Sequence, residues 1–169
     1  FIIDGKEKVI IPQEKFADHM LYIKKNKSDD IYSHSAEIRS VSEDSSKPIR
    51  TTAIKIVSPS PSYSNNQIVV AVPNVKKPVP LFILMRALGV ISDKDIIEKW
   101  LLVNLDDEKE NEKNRYIDLF IPSIHDANKI FNQQNALEFI AELTKRGTVS
   151  GVIEILSDYF LPHIGELNF

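Results

Sequence analysis

Residues 67–89, QIVVAVPNVKKPVPLFILMRALG, change period partway along. QIVVAV is rich in β-branched residues and reads as a buried strand. From Pro73 onward the spacing of apolar residues becomes helical, with Pro80 suited to the first helical position of PLFILMRAL and Gly89 placed to end it in the left-handed conformation. Apolar residues cover more than one face of this helix, which predicts burial against both a sheet and a neighbouring helix. Arg86 is the exception, and a buried guanidinium needs a charged or carbonyl partner.

Upstream of this switch the chain reads as β. IRTTAIKIV (49–57) has Ile54 and Ile56 on one face and Lys55 on the other. IYSHSAEIRSVS alternates less regularly, and His19 to Ile23 is a further short candidate. At the start, Asp4-Gly5 is a favoured pair for a two-residue hairpin between Phe1-Ile2-Ile3 and the apolar Val9-Ile10-Ile11. A lone hairpin is only marginally stable in water, so this one reads as the continuation of something larger.

Downstream the chain reads as helical. Ser92 with Asp95 has capping-box spacing for a helix from Asp93 to about Leu102 that would bury Ile96, Ile97 and Trp100. Ser123 with Asp126 repeats that spacing before ANKIFNQ, Asn135 is a cap candidate for ALEFIAELTKR, and a last helix runs from Val152 to Phe160 against Pro162. DDEKENEKNR is a purely polar tract, expected as an exposed connection or frayed helix. Strands first and helices afterwards make an α+β fold, an N-terminal antiparallel β-meander of about four to six strands followed by a cluster of about four to five helices.

The 169 residues suit a single domain, which buries roughly 70% of its unfolded surface. Hydrophobic residues make up 43% and charged residues 27%, the balance of a globular protein and not of a disordered tail. No apolar run reaches the length of a membrane span. The absence of cysteine excludes disulfides and Cys-based zinc sites. The net charge of −3 is unevenly spread: residues 1–57 hold ten basic and nine acidic residues, leaving eleven and fifteen for the remainder. Any phosphate contact must therefore come from a local patch.

No catalytic constellation emerges. His19, His34, His125 and His163 are too widely spaced for a helical metal pair, and the H-E-x-x-H motif, the phosphate-binding glycine loop and the nucleophile elbow are all missing. The acidic pairs Asp29-Asp30, Glu43-Asp44 and Asp106-Asp107 fall in polar turns and read as solvated. Basic residues offer more. Arg39, Arg50 and Lys55 lie on adjacent strand candidates with Lys47 in the turn between them, and could align into a stripe that touches phosphates.

Four stretches, in order, carry a resemblance: FIIDGKEKV followed by QE; AEIRS with SSKP; PNVKKPVPLFILMRALG with SDKDI; and LPHIG. Together they resemble the second-largest, β-like subunit of multisubunit DNA-directed RNA polymerases in its archaeal, eukaryotic and large-DNA-virus form, over essentially the whole chain. Within that subunit the chain is similar to the lobe, a domain inserted in the protrusion. The resemblance implies one lobe domain over residues 1–169, with 1–11 and 161–169 as entering and returning strands shared with the protrusion.

It further implies a non-catalytic wall of the downstream DNA cleft in transcription, within a nucleotidyltransferase. Magnesium is bound by other regions of the assembled enzyme, and no cofactor is expected in this chain. Implied partners are the largest subunit, the remaining polymerase subunits, downstream duplex DNA and initiation factors, with no membrane. The alternative is a protein-interaction platform with little DNA contact. A free-standing hydrolase has only separated carboxylates behind it. Richness in Ile, Lys and Asn points first to a large DNA virus infecting a eukaryote, hence a virion or viral factory, and second to a protist nuclear polymerase.

Overall fold

A computed structural model describes residues 1–27, 30–44, 46–60, 66–103 and 110–165. Strands β1 (Ile2–Ile3) and β2 (Lys6–Glu7) form a small hairpin. Asp4 and Gly5 both take positive φ, 54° and 71°, as a tight two-residue loop requires. That loop pairs Ile3 with Lys6, so the second strand is Lys6–Glu7 and the apolar Val9-Ile10-Ile11 run lies beyond it, exposed.

The main sheet contains β3 (Leu21–Lys25), β4 (Tyr32–Ser40), β5 (Arg50–Val57), β6 (Ile68–Ala71) and β7 (Val79–Pro80), all antiparallel and ordered as they occur in the chain. This is the expected meander. The helices follow: α1 (Leu81–Ala87); α2 (Asp93–Asp95), which continues as a π-helical segment Ile96–Leu101; α3 (Glu110–Asp126); α4 (Gln133–Glu142); α5 (Val149–Glu154), which continues as a second π segment Ile155–Tyr159; and α6 (Pro162–Gly165).

The core lies where α1 meets β6, β7 and the other helices. Phe82, Ile83, Leu84, Ile96, Ile140 and Val152 are almost wholly buried there beside Val70 and Val79. Arg86 is 4% exposed and finds both kinds of partner expected of it. One guanidinium nitrogen donates to the Ala127 carbonyl at 2.6 Å and to that of Ile130, and another pairs with Asp93. One side chain thus ties α1 to the start of α2 and to the corner after α3.

Several local expectations are corrected. Ile96 and Ile97 are buried, but Trp100 is 60% exposed. The Leu102 amide donates to the Ile97 carbonyl, an i→i−5 bond at 2.8 Å. This wider turn brings Leu101 and Leu102 inward where an α-helix would place Trp100. Ser123 caps nothing: α3 runs on past it, through Pro122, and its fully buried hydroxyl accepts from the Ile68 amide at 2.8 Å. The cap of α4 is Asn132, whose side chain accepts from the Asn135 amide. Of the polar tract, residues 110–115 belong to α3 and the part before 110 lies outside the described residues.

Ile54, although on the face that is buried at Val70, is 44% exposed, because the helices cover only part of that face. At the C-terminal end, Pro162–Gly165 is a helical turn. The segment expected to return to a neighbouring domain otherwise falls at 166–169, outside the described residues.

Candidate functional site

Antiparallel partners share a face, so the strand register decides which of the four predicted basic residues can act together. Arg39 pairs with Thr51, and Lys55 with Ser35, which places both cations on the face that also carries Tyr22, Glu37 and Ala53. Arg50 pairs with Ser40 and therefore points to the opposite, helix-bearing face. The single stripe expected from the sequence is split in two.

On the first face Lys24 joins the group, since it pairs with Ser35 across from Lys55. The two lysines flank β4 at a strand-to-strand distance of about 10 Å, and Arg39 lies about 13 Å farther along β4. Lys24 is not legible in the sequence as part of this group, because the pattern predicts a strand over His19 to Ile23 and the strand formed is Leu21–Lys25. Aromatic rings support the cations. The Arg39 guanidinium lies 5.0 Å from the Phe16 ring centre, Phe16 meets Tyr22 edge-on at 5.0 Å, and the Lys55 ammonium lies 4.9 Å from the Tyr32 ring. Glu37 interrupts the group, 4.0 Å from Arg39. At that distance and exposure the pair is weak and leaves Arg39 available to an external anion.

On the other face Lys47 and Arg50 line one cleft of about 310 Å³, together with Ser42, Asp158 and Tyr159. Beside it a three-way joint closes. His19 and His163 stack with ring centres 4.5 Å apart, Ser40 Oγ lies 2.6 Å from His163 Nδ1, and His19 Nε2 lies 2.9 Å from the Val41 carbonyl. The two histidines are 144 positions apart, and no sequence spacing could have joined them. Of the acidic pairs, Asp44 organises its turn by accepting from the Ser46 hydroxyl and amide. Those two bonds, followed by the charge of Lys47, hold its carboxyl below the usual range. Asp29, Asp106 and Asp107 lie outside the described residues. Among the described residues no three His, Asp or Glu side chains converge to hold a metal ion. No helix among those residues is long and apolar enough to cross a membrane.

Residues 17–168 match the family model described as RNA polymerase Rpb2, domain 2. Among curated proteins the chain is 35% identical over 175 residues to "DNA-directed RNA polymerase II subunit RPB2" of Encephalitozoon cuniculi, an alignment covering 100% of this chain and 14% of that protein. It is 32% identical over 177 residues to "DNA-directed RNA polymerase II subunit 2" of Arabidopsis thaliana, covering 98% of the chain and 14% of the relative. It is 31% identical over 170 residues to "DNA-directed RNA polymerase subunit Rpo2" of Saccharolobus solfataricus, covering 98% and 13%. These relatives are eukaryotic and archaeal, and the chain spans about one seventh of their length.

Proposed function

The chain belongs to the RNA polymerase Rpb2 domain 2 family, and from that premise we propose that it is the lobe of a DNA-directed RNA polymerase and contributes a non-catalytic wall to the downstream DNA cleft. The observation that carries this reading is the grouping of Lys24, Arg39 and Lys55 on one open sheet face, within a chain that matches the family over residues 17–168. Three cations on a sheet can touch a phosphate backbone, and such contacts position a duplex without reading its sequence. In this proposal nucleotide addition and its magnesium belong to other parts of the assembled enzyme, and the other polymerase subunits are the chain's constant neighbours. Residues 1–11 and the segment after Leu161 join it to the adjoining protrusion. Its place of work is that of its polymerase: the nucleus in a eukaryote, the virion or viral factory in a large DNA virus.

A salt titration tests the DNA contact. The purified chain carries a net charge of −3, so it is expected to bind duplex weakly, near or beyond a dissociation constant of about 10⁻⁴ M. Each phosphate contact contributes about −0.9 to the log–log salt slope, so three cations give a slope of about −2 to −3. Lys24→Gln, Arg39→Gln and Lys55→Gln should each lower the slope by about one and weaken all duplex sequences alike. Nanomolar, sequence-selective binding would sink the reading.

A second reading, docking of initiation or accessory factors, has its own observation. On the helix-bearing face, Leu21, Ile23 and Ile54 are 60%, 76% and 44% exposed and align across β3 to β5 beyond the helices. If docking dominates, Ile23→Asp weakens factor recruitment to the assembled polymerase while the glutamine variants of the basic face leave the enzyme's DNA retention unchanged.

A further inference from the structure

The cleft between Lys47-Pro48 and the second π-helical segment holds a guanidinium whose hydrogen bonds the described residues do not use. Arg50 is half-buried, and its guanidinium carbon lies over the Tyr159 ring, 4.4 Å from the ring centre. A cation held against an aromatic ring gains from the ring's negative face without using its N–H donors in hydrogen bonds. Among the described residues Arg50 forms no ion pair and its side chain donates no hydrogen bond, and the same is true of Lys47 across the cleft. Both cations line the cleft with donors that solvent reaches, so an acceptor entering it meets two positive charges without first breaking an internal bond.

The surroundings narrow what that acceptor is. The cleft, at about 310 Å³, accepts one side chain with its neighbours. Its walls include the apolar surfaces of Pro48, Pro162 and Tyr159, and exposed Asp158 lies on its lining. A duplex presents a row of phosphates to a broad surface, and the carboxylate of Asp158 opposes such a polyanion. A single carboxylate fits the narrow cleft and sets only one negative charge against Asp158, where Lys47 and Arg50 outnumber it: it can accept two parallel bonds from the planar fork and a third from the Lys47 ammonium, while an adjoining apolar residue rests on the prolines.

We propose that Lys47, Arg50 and Tyr159 form a receptor for a glutamate or aspartate side chain on an acidic peptide segment of a protein partner. The site is separate from the basic face assigned to DNA and stands whether or not that assignment holds.

The probe is a fluorescein-labelled peptide with glutamates on both sides of a phenylalanine, measured by anisotropy on the purified chain beside its glutamine counterpart, inorganic phosphate and duplex DNA. The glutamate peptide is expected to bind at least about tenfold more tightly than the glutamine one, since a hydrogen bond to a charged group is worth that or more. Arg50→Gln and Lys47→Gln should each weaken it by roughly tenfold, and Arg50→Lys should recover only part of the loss because the planar fork is gone. Lys47 is exposed, so its replacement separates loss of the site from loss of the fold. Lys24→Gln with Lys55→Gln should leave peptide binding unchanged. No binding at millimolar peptide, equal affinity for the glutamine peptide, or binding untouched by Arg50→Gln overturns the proposal. So does preferential duplex or phosphate binding that disappears with the same two residues.

Discussion

Asp93→Ala is expected to destabilise the chain by about 3 to 5 kcal/mol, because it strips a buried cation of its counter-charge. Arg86 is 4% exposed, whereas the Asp93 side chain is 37% exposed, so the two halves of the pair are unequal. Removing the arginine leaves a carboxylate that water can reach. Removing the aspartate leaves a guanidinium that water cannot. Arg86→Met should therefore be the milder change, although the carbonyls of Ala127 and Ile130 then lose their donor. Urea denaturation followed by circular dichroism gives both values. A loss below about 1 kcal/mol for Asp93→Ala, the size of an exposed pair, would show that the guanidinium is not confined as described.

Phe82→Ala should cost a similar amount, about 3 to 5 kcal/mol, from lost transfer energy plus the cavity left behind. Phe82 is wholly buried and meets Phe120 edge-on, with centres 6.5 Å apart and planes at 62°, so it joins α1 to α3 directly. In a chain of this size each kcal/mol moves the melting temperature by roughly 2 to 4 °C, giving a drop of about 6 to 20 °C. Phe82→Leu should restore most of it. A melting temperature unchanged by the alanine variant would mean that the core is centred elsewhere.

The sequence revealed most where local chemistry and burial agree. QIVVAV and PLFILMRAL are legible because their apolar patterns match the elements formed and Gly89 follows the helix with positive φ, although Pro80, expected as the first helical residue, is the extended N-cap that ends β7 and the helix begins at Leu81. Arg86 declared its need for a partner by standing alone in an apolar helix. Ser92 was recognisable as a cap because its neighbours carry the signal. Ser123 presented the same signal and misled, since its hydroxyl is used by the Ile68 amide, a contact 55 residues away. The π-helical turn that exposes Trp100 has no signature in residue spacing.

The basic stripe failed for a related reason. Arg39 and Arg50 lie on neighbouring strands, but whether neighbours share a face depends on register, and a displacement of one residue reverses the answer. Arg50 faces Ser40, one position from where a common stripe would need it. Lys24 and the stacking of His19 on His163 became visible only once strands and chain ends were set side by side.

The order of the sheet has a consequence for how the chain is made. From β3 to β7 every strand pairs with its immediate predecessor, so each can add to the sheet soon after it leaves the ribosome, at about 5–20 residues per second. The helices do not share this freedom. Arg86 emerges with α1, more than forty residues before the carbonyls of Ala127 and Ile130 that it must reach. Chains stalled at Leu102 should therefore present a protease-resistant sheet beside a cleavable α1, and chains stalled beyond Leu143 should protect both; equal protection at the two lengths would contradict this order.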